Sequence, residues 1–411
     1  MKKLICLITV LVLCFGLLAG CGGNKPSSNE GSGDSGEAVD VTVTVWGPQE
    51  DQSDDNGKWL QTQCEAFAAA HPEWNITFNY GVCSEGDAKT NIGTDPSAGA
   101  DVYLFANDQI PDLIKAGGIA ELGGATVDAI KANNSETTVN TITYEGSVYG
   151  VPFTGNTWFM YYDKSVFSEE DIKSLDAMLE KGKVAFPLDT AWYIAAFYVA
   201  NGCTLFGEDG GDAAAGFDFS GEKAVQVTDY LVDLIANHNF ANGDVGTNAD
   251  AKAFFSGTWD YQKALDAYGE NLGIAAPPSI TINGELKQMK SFAGSKAVGV
   301  NPATALYQEH PEVAVALAAY LGGTDAQKAH FELRNIIPTD SNITVDDALA
   351  QAQMDTMAFA SIVQPLQADM GNYWGPAESM GKELVAGSVT HANAAEKTEA
   401  MNTSLNTSAV Q

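Results

Sequence analysis

The sequence predicts an α/β protein of two lobes, with the chain crossing between them more than once. Apolar runs of strand length alternate along the chain with longer runs whose apolar residues recur at helical spacing, which is typical of a parallel α/β layout. This order occurs twice. The chain has 411 residues, of which 45 % are hydrophobic, enough for two or three cores. No repeat with a period of about 20 to 50 residues is visible, so a solenoid is not expected.

The first run of elements starts with strict alternation over residues 41–46, which predicts a strand. Apolar residues at helical spacing predict a helix over 58–70, and His71-Pro72 ends it. The run continues with strands at 75–80 and 101–105 and helices at 110–116 and 127–132.

The second run starts with a strand over 159–163. It continues with helices at 169–180, 191–200 and 224–236, strands at 184–187 and 297–300, and a nearly all-helical pattern from residue 311 onward. From this order we predict an N-terminal lobe of residues 41–154 plus 295–345. The C-terminal lobe takes residues 155–294 plus 346–411.

The N-terminus carries the pattern of a secretion signal. Lys2 and Lys3 precede the apolar residues 4–18, a stretch too short to span a membrane comfortably. Residues 18–21, Leu-Ala-Gly-Cys, resemble the bacterial lipobox, in which the thiol of Cys21 accepts a diacylglyceryl group. We therefore expect a signal peptide over 1–20, a lipidated Cys21 and a flexible Gly/Ser linker up to residue 40. An ordinary cleaved secretory signal is the alternative.

The charge of the chain excludes whole classes of partner. There are 21 basic and 53 acidic residues, a net charge of −32, and loss of Lys2 and Lys3 with the signal peptide makes it −34. Arg334 is the only arginine. Without a basic surface, the protein is not expected to bind nucleic acid. A neutral, hydroxyl-rich ligand is favoured instead.

Cysteine and histidine usage predicts no metal site, no cofactor and no enzyme. Cys64 lies on a predicted helix and Cys83 just past the next strand, so a disulfide between them is geometrically plausible. Cys203 is then a buried thiol, and the three positions show no zinc spacing. The five histidines are scattered and expected at the surface or at helix ends. No Walker loop, dinucleotide fingerprint or nucleophile elbow occurs.

Tryptophans beside turn-forming or polar residues are the strongest functional signal. An aromatic plane buries the apolar face of a sugar ring, while Asp, Glu, Asn and Gln bind its hydroxyl groups. The alternative is that these side chains fill domain cores. The five tryptophans in such positions are Trp46, Trp158, Trp192, Trp259 and Trp374.

The chain also resembles a known family. The lipobox, the tether and the opening Val-Thr-Val-Trp-Gly are similar to extracellular solute-binding lipoproteins (family 1) of ATP-driven (ABC) sugar importers, and most similar to the maltose/maltodextrin-binding proteins. The segments 100–108 (Ala-Asp-Val-Tyr-Leu-Phe-Ala-Asn-Asp), 146–152 and 161–164 carry the same resemblance. It implies the type II periplasmic-binding-protein-like fold, with a hinge and a ligand cleft between two α/β lobes.

The resemblance implies a polar side of the cleft in the N-terminal lobe. Asn107, Asp108 and Gln109 match a polar run that contacts glucose hydroxyls. The family commonly has Arg or Lys after the Asp, so Gln109 departs from the pattern. Glu50 and Asp51 match polar residues of the loop after the first strand.

The C-terminal side of the cleft is expected to be aromatic. Trp192 and Tyr193 match an aromatic pair, and Trp259 and Trp374 match two stacking tryptophans. Asn156 falls where maltodextrin binders often carry a glutamate. The complete expected ligand-binding set is Glu50, Asp51, Asn107, Asp108, Gln109, Asn156, Trp158, Trp192, Tyr193, Trp259, Tyr261 and Trp374.

The predicted function is capture of malto-oligosaccharides, from maltose to maltoheptaose, for delivery to ABC permease subunits. The protein is expected as a monomer, lipid-anchored on the extracellular face of the cytoplasmic membrane of a Gram-positive-type envelope. Binding of a xylo- or β-gluco-oligosaccharide on the same scaffold is an alternative. A surface glycosidase and an adhesin are two further alternatives.

Overall fold

The computed structural model describes residues 38–407. The predicted signal peptide 1–20, Cys21 and the linker up to residue 37 lie outside the described residues. The first strand begins at Val39, so the last two residues of the predicted linker belong to the strand instead. Over residues 38–407, no helix combines the length and the apolar character needed to cross a membrane.

Strands and helices alternate along most of the chain. The strands are β1 Val39–Gly47, β2 Trp74–Val82, β3 Val102–Ala106, β4 Thr143–Tyr144, β5 Ser147–Val148, β6 Val151–Asn156, β7 Phe159–Asp163, β8 Val184–Phe186, β9 Thr204–Leu205, β10 Phe217–Asp218, β11 Phe240–Asn242, β12 Ala253–Ser256, β13 Leu272–Ala275, β14 Ser279–Ile282, β15 Glu285–Gln288, β16 Ser291–Val300 and β17 Ser361–Val363. The α-helices are α1 Trp59–Ala70, α2 Ala88–Thr94, α3 Ile110–Ala116, α4 Gly124–Asn133, α5 Glu136–Thr141, α6 Leu175–Leu179, α7 Ala191–Ala200, α8 Gly221–Ala236, α9 Tyr261–Tyr268, α10 Ala305–Glu309, α11 Pro311–Leu321, α12 Thr324–Arg334, α13 Ala348–Phe359, α14 Gly371–Val385 and α15 Ala394–Leu405. The mixed α/β fold class is confirmed.

The first large sheet has the strand order β17-β16-β3-β1-β2, with β6 also paired to β16. β1 is parallel to β2 and to β3, as predicted. β16 is antiparallel to β3 and to β6, so the predicted parallel layout does not hold for this strand. Its residues Ala297, Val298 and Val300 belong to one buried cluster with side chains of β1, β3, α1 and α11. The carboxyl ends of β1 and β3 therefore point to the same edge of this sheet.

The second large sheet has the order β11-β8-β12-β7-β13. β8 is parallel to β11 and β12, whereas β7 is antiparallel to β12 and β13. The second buried cluster joins β7, β8 and α7 to α8, α14 and α15. A third and smaller cluster joins Tyr161 and Phe254 to Ile337 and Leu349. Ile337 lies within the predicted 295–345 portion of the N-terminal lobe, yet it packs on strands of the second sheet. The lobe boundaries stay a prediction.

Strand β16 connects different parts of the fold. Its first three residues pair with β17, its middle with β6 and its last five with β3. Ser295 and Thr141 of α5 are joined through their hydroxyl groups at 2.6 Å, and Gly155 of β6 faces Gln353 and Met357 of α13. Helices α5 and α13 thus cover one face of this segment. The opposite face carries the side chains of Phe292 and Lys296.

The predicted disulfide is absent from the described residues, where Cys64 and Cys83 are free, buried thiols. The Cys64 thiol on α1 lies beside Tyr80 of β2, and burial raises its pKa to about 12. Cys83 continues the pairing of β2 and accepts a hydrogen bond from Asn91 of α2 at 3.1 Å. Tyr80 and Cys83 are three residues apart in an extended chain, so they point to opposite faces of the sheet.

Candidate ligand-binding site

Trp259 is the tryptophan most open to solvent at this site, with 52 % of its surface exposed. It lies in the turn after β12, above Gly257, where an added Cβ would come within 2.0 Å of the indole ring. The Tyr161 hydroxyl donates to the Gly257 carbonyl at 2.8 Å, and Ser256 donates to Asp260 at 2.6 Å. The turn is thereby held in place, and a glycine leaves room for the ring.

Trp192 stacks on Trp259. The ring centroids are 5.8 Å apart and the planes differ by 27°. Trp192 is half-buried in the first turn of α7, next to Tyr193, which is 9 % exposed. Tyr193 stacks in turn on Trp158 at 5.2 Å. Because Trp158 is fully buried, it supports this aromatic wall from behind and offers no free face to a ligand.

Trp374 is brought to the same wall by a hydrogen bond between two helices. The Tyr373 hydroxyl donates to the Ala191 carbonyl at 2.9 Å, and these two residues directly neighbour Trp374 and Trp192. The half-buried indole of Trp374 lies 6.0 Å from the ring of Phe292 on β16. The structure therefore places the starts of α7 and α14 together, each with a partly open tryptophan.

Two other predicted residues are less prominent. Asn156 is half-buried at the end of β6, opposite Gly294 of β16. Tyr261 begins α9 and packs half-buried against the third cluster. Both have surface left for a ligand.

Of the polar residues expected from the N-terminal lobe, Glu50 and Asp108 are exposed, just after β1 and β3. Surrounding protein desolvates the Asp108 carboxyl and raises its pKa, and the charge of Lys89 opposes this only in part. An exposed carboxylate that is still crowded by protein atoms is expected on a concave surface. Asp108 is therefore suited to bind hydroxyl groups within a cleft.

Asp51 is fully buried instead of facing a ligand. Its Oδ1 accepts hydrogen bonds from His330 Nε2 at 2.8 Å and from Arg334. Burial works against the ionised carboxyl, but His330 and Arg334 outweigh it and hold the pKa of Asp51 below its ordinary value. His330 stacks on Trp59 at 3.9 Å and is 2 % exposed, which corrects the expectation of a surface histidine.

Asn107 and Gln109 are also turned inward. Asn107 donates to the Thr141 carbonyl at 2.8 Å and accepts from the Ser295 amide at 2.8 Å. The Gln109 amide donates to the carbonyls of Glu85 and Gly86, and accepts from the Lys89 amide at 2.7 Å. Asn107 is 4 % exposed and Gln109 3 %. Both side chains are therefore used in hydrogen bonds to the backbone: Asn107 to α5 and β16, and Gln109 to the turn before α2 and the start of α2.

One charged pair beside this polar group was not anticipated from the sequence. Lys296 Nζ lies 3.1 Å from Glu85 Oε1. Lys296 pairs with Ala106, the residue before Asn107, in the β16–β3 ladder. Among the described residues of β16, Lys296 alone is not buried. A single lysine inside the apolar segment 292–300 is the sequence signal that could have identified it.

A cavity of about 870 Å³ lies elsewhere in the described part of the chain. Its walls come from the β4–β5 hairpin, the loop after α7 and residues 362–367. None of the predicted ligand-binding residues lines it, so its volume gives no support to the aromatic site.

Comparison with known proteins identifies the group to which the chain is similar. Residues 62–357 match the family described as bacterial extracellular solute-binding protein. A maltooligosaccharide ABC transporter solute-binding lipoprotein of Streptococcus pneumoniae (strain ATCC BAA-255 / R6) is 25 % identical over 415 aligned positions, covering 90 % of this chain and 89 % of that protein.

Solved structures agree with this match. One structure, described as being with acarbose, is 50 % identical with a TM-score of 0.78, covering 89 % of this chain and 99 % of that chain. A maltodextrin-binding protein from L. casei BL23 without ligand has a TM-score of 0.81 at 22 % identity, covering 90 % of this chain and 100 % of that chain. The second likeness bears on the fold alone.

Proposed function

The chain belongs to the bacterial extracellular solute-binding proteins, and we propose that it captures malto-oligosaccharides for an ABC importer. The names of its relatives and the match at 50 % identity support this ligand class. The observation that carries the proposal is the arrangement of Trp192, Trp259 and Trp374, three partly open indoles on elements tied to one another. Such faces bury the apolar side of glucosyl rings.

Carboxylates and an amide that bind hydroxyl groups complete the proposed site. Asp108 and Glu50 supply carboxylates from the ends of parallel strands, and Asn156 supplies an amide that can donate and accept. Asp51, Asn107, Gln109 and Trp158 act in this proposal through the residues they hold in position. The net charge of −32 has little effect on an uncharged sugar.

Binding is proposed to close the two lobes around the sugar. Contacts made by both lobes at once exist only in the closed state, so the ligand stabilises that state by its differential affinity. A thousand-fold preference corresponds to about 4 kcal/mol. The closed form then docks on the permease subunits, and the sugar leaves unchanged, without catalysis.

We further propose that Cys21 carries the lipid anchor. Residues 18–21 fit the lipobox, and a relative is named a lipoprotein. Labelling with a fatty-acid analogue in a bacterial host is expected for the natural chain and lost in Cys21→Ala. Persistent labelling of that variant would contradict the anchor.

Calorimetry with maltose through maltoheptaose tests the ligand class. We expect saturable heat and a ligand-dependent rise in Tm, because a ligand that binds only the folded state stabilises it. Xylo-oligosaccharides and β-gluco-oligosaccharides of equal length serve as controls. If a control sugar gives heat and the malto-oligosaccharides give none, the control sugar is the ligand and the proposed ligand class is wrong.

The same samples test for catalysis. After prolonged incubation, chromatography is expected to recover the oligosaccharide at its original length. New reducing ends in the sample, absent from a sample without protein, would indicate a glycosidase instead.

A further inference from the structure

We infer that Lys296 and Glu85 form a second hydroxyl-binding element of the sugar site. The pair binds two adjacent hydroxyl groups of one glucosyl ring. This inference rests on the proposed function and adds to it two residues outside the expected ligand-binding set. Its basis is the position of one ion pair on β16, in which Lys296 is the only residue that is not buried.

The first step concerns what Gln109 does. Its amide is fully occupied by the carbonyls of Glu85 and Gly86 and by the Lys89 amide. These contacts fix the turn that leads into α2 and present Glu85 from it. The Gln109 side chain is therefore not available to a ligand. It instead holds the turn that carries Glu85, whose carboxylate is proposed to bind the sugar.

The second step concerns the face of β16. Phe292, Gly294 and Lys296 alternate on one side of the strand. Phe292 lies 6.0 Å from Trp374, and Gly294 is opposite Asn156. Lys296 thus shares a strand face with two residues that adjoin the proposed sugar site. The other face is covered by α5 and α13.

The third step concerns access and bonding capacity. The Lys296 side chain is 37 % exposed and that of Glu85 12 %. An ammonium group has three donors, and only one is needed for the bond to Glu85 Oε1. Lys296 can therefore donate to one sugar hydroxyl while Glu85 accepts from its neighbour. Both bonds are charge-assisted and strengthen when closure excludes water.

The position of Lys296 in the strand also requires a partner for its charge. The chain has few basic residues, with 21 lysines and arginines in 411 positions, and Lys296 alone among the residues of β16 breaks an otherwise buried, uncharged strand. A charged side chain at such a position costs desolvation unless it is paired. The Glu85 contact meets that requirement.

Titration calorimetry with maltotriose tests the inference on Lys296→Met and Glu85→Gln. We expect Lys296→Met to raise Kd at least tenfold and Glu85→Gln to raise it several-fold. The change in log Kd of the double variant should be smaller than the sum of the changes in the two single variants, because the two residues act as a unit. Lys296→Arg should retain most of the affinity.

Lys287→Met is the matched control. Lys287 pairs with Glu285 at 2.6 Å and is 30 % exposed, but it lies on the β14–β15 hairpin. Its Kd should stay within twofold of the natural protein. If the natural protein binds and Kd is unchanged in both Lys296→Met and Glu85→Gln, this inference is wrong and the proposed function still stands. Absence of heat with the natural protein would instead refute the proposed function.

Discussion

The aromatic and the polar sides of the candidate site differ in how much of each remains available to a ligand. Trp192, Trp259 and Trp374 are all at least partly open. Of the five polar residues expected from the N-terminal lobe, only Glu50 and Asp108 face solvent. The other three are buried and hydrogen-bonded within the protein.

The difference has a physical cause. A carboxylate or an amide can be fully satisfied by another part of the same chain, and a buried one must be. An indole face has no comparable internal partner except a packed core, and a tryptophan in a turn reaches the core less easily. Three of the four tryptophans expected in the site stay partly open, and Trp158, in the short turn between β6 and β7, is the exception that fills the core.

The largest effect is expected from the aromatic side. Trp259→Ala should raise the Kd for maltotriose about 30-fold, since central aromatic contacts often contribute about 2 kcal/mol or more. Calorimetry measures the change, and Leu265→Ala, an exposed apolar residue on α9, is the control. If Trp259→Ala and Leu265→Ala lose affinity for maltotriose equally and only slightly, the aromatic side is not the stronger contact.

Asp108→Asn should raise Kd about tenfold, because hydrogen bonds to an ionised group contribute about 1.5–3 kcal/mol. The raised pKa of Asp108 adds a pH dependence. The ionised form binds, so affinity falls as the pH drops through the raised pKa, at a higher pH than for an ordinary aspartate. Titrations from pH 7 to about 4.5 should show this fall in the natural protein and little of it in the variant.

Gly257→Ala should raise Kd about fivefold, because the new methyl group displaces the Trp259 ring at a cost of about 1 kcal/mol. The Tm should change little, since the ring is half exposed. Gly123→Ala, where no atom lies near the added carbon, serves as the control. An unaltered Kd in Gly257→Ala would mean that the ring position is not important for binding.

Asp51→Asn is expected to have the smallest effect on affinity, below threefold, but a clear effect on stability. Removing the charge leaves Arg334 without an anionic partner and lowers the free energy of unfolding by about 2 kcal/mol, because hydrogen bonds to charged groups contribute about 1.5–3 kcal/mol. Because the folded-state pKa of Asp51 is lowered, its contribution is present above the ordinary aspartate pKa and lost as the pH falls through the folded value. Urea unfolding at pH 7 and pH 3 measures the stability and its pH dependence, and calorimetry with maltotriose measures the affinity. A large loss of affinity at unchanged stability would return Asp51 to the ligand-contacting set.

Much of the fold could be predicted from local pattern alone. The helices Ile110–Ala116 and Ala191–Ala200 and the strand Phe159–Asp163 begin and end where the apolar spacing places them. The predicted helix over 169–180 is shorter, with a 3-10 turn at Asp171–Lys173 before Leu175–Leu179. Ser174 caps the α-helix through its side chain and interrupts the continuous pattern.

Features set by distant pairing could not be predicted. The antiparallel direction of β16 depends on its partners β3 and β6, nearly 200 and 140 residues earlier in the chain. The separation of Cys64 from Cys83 depends on which face of β2 each one meets. The burial of His330 and Asp51 follows from a contact across 279 positions. The local spacing of apolar residues carries no information about such long-range contacts.

The stacking of Trp192 on Trp259 also has an optical consequence. Two indoles with centroids 5.8 Å apart are close enough for their electronic transitions to couple, and coupled transitions that are not parallel give circular-dichroism bands of opposite sign. A sugar ring that moves either indole alters this coupling. The protein thus contains its own chromophore pair, and a change in ellipticity is the expected signal of sugar binding, without any attached dye.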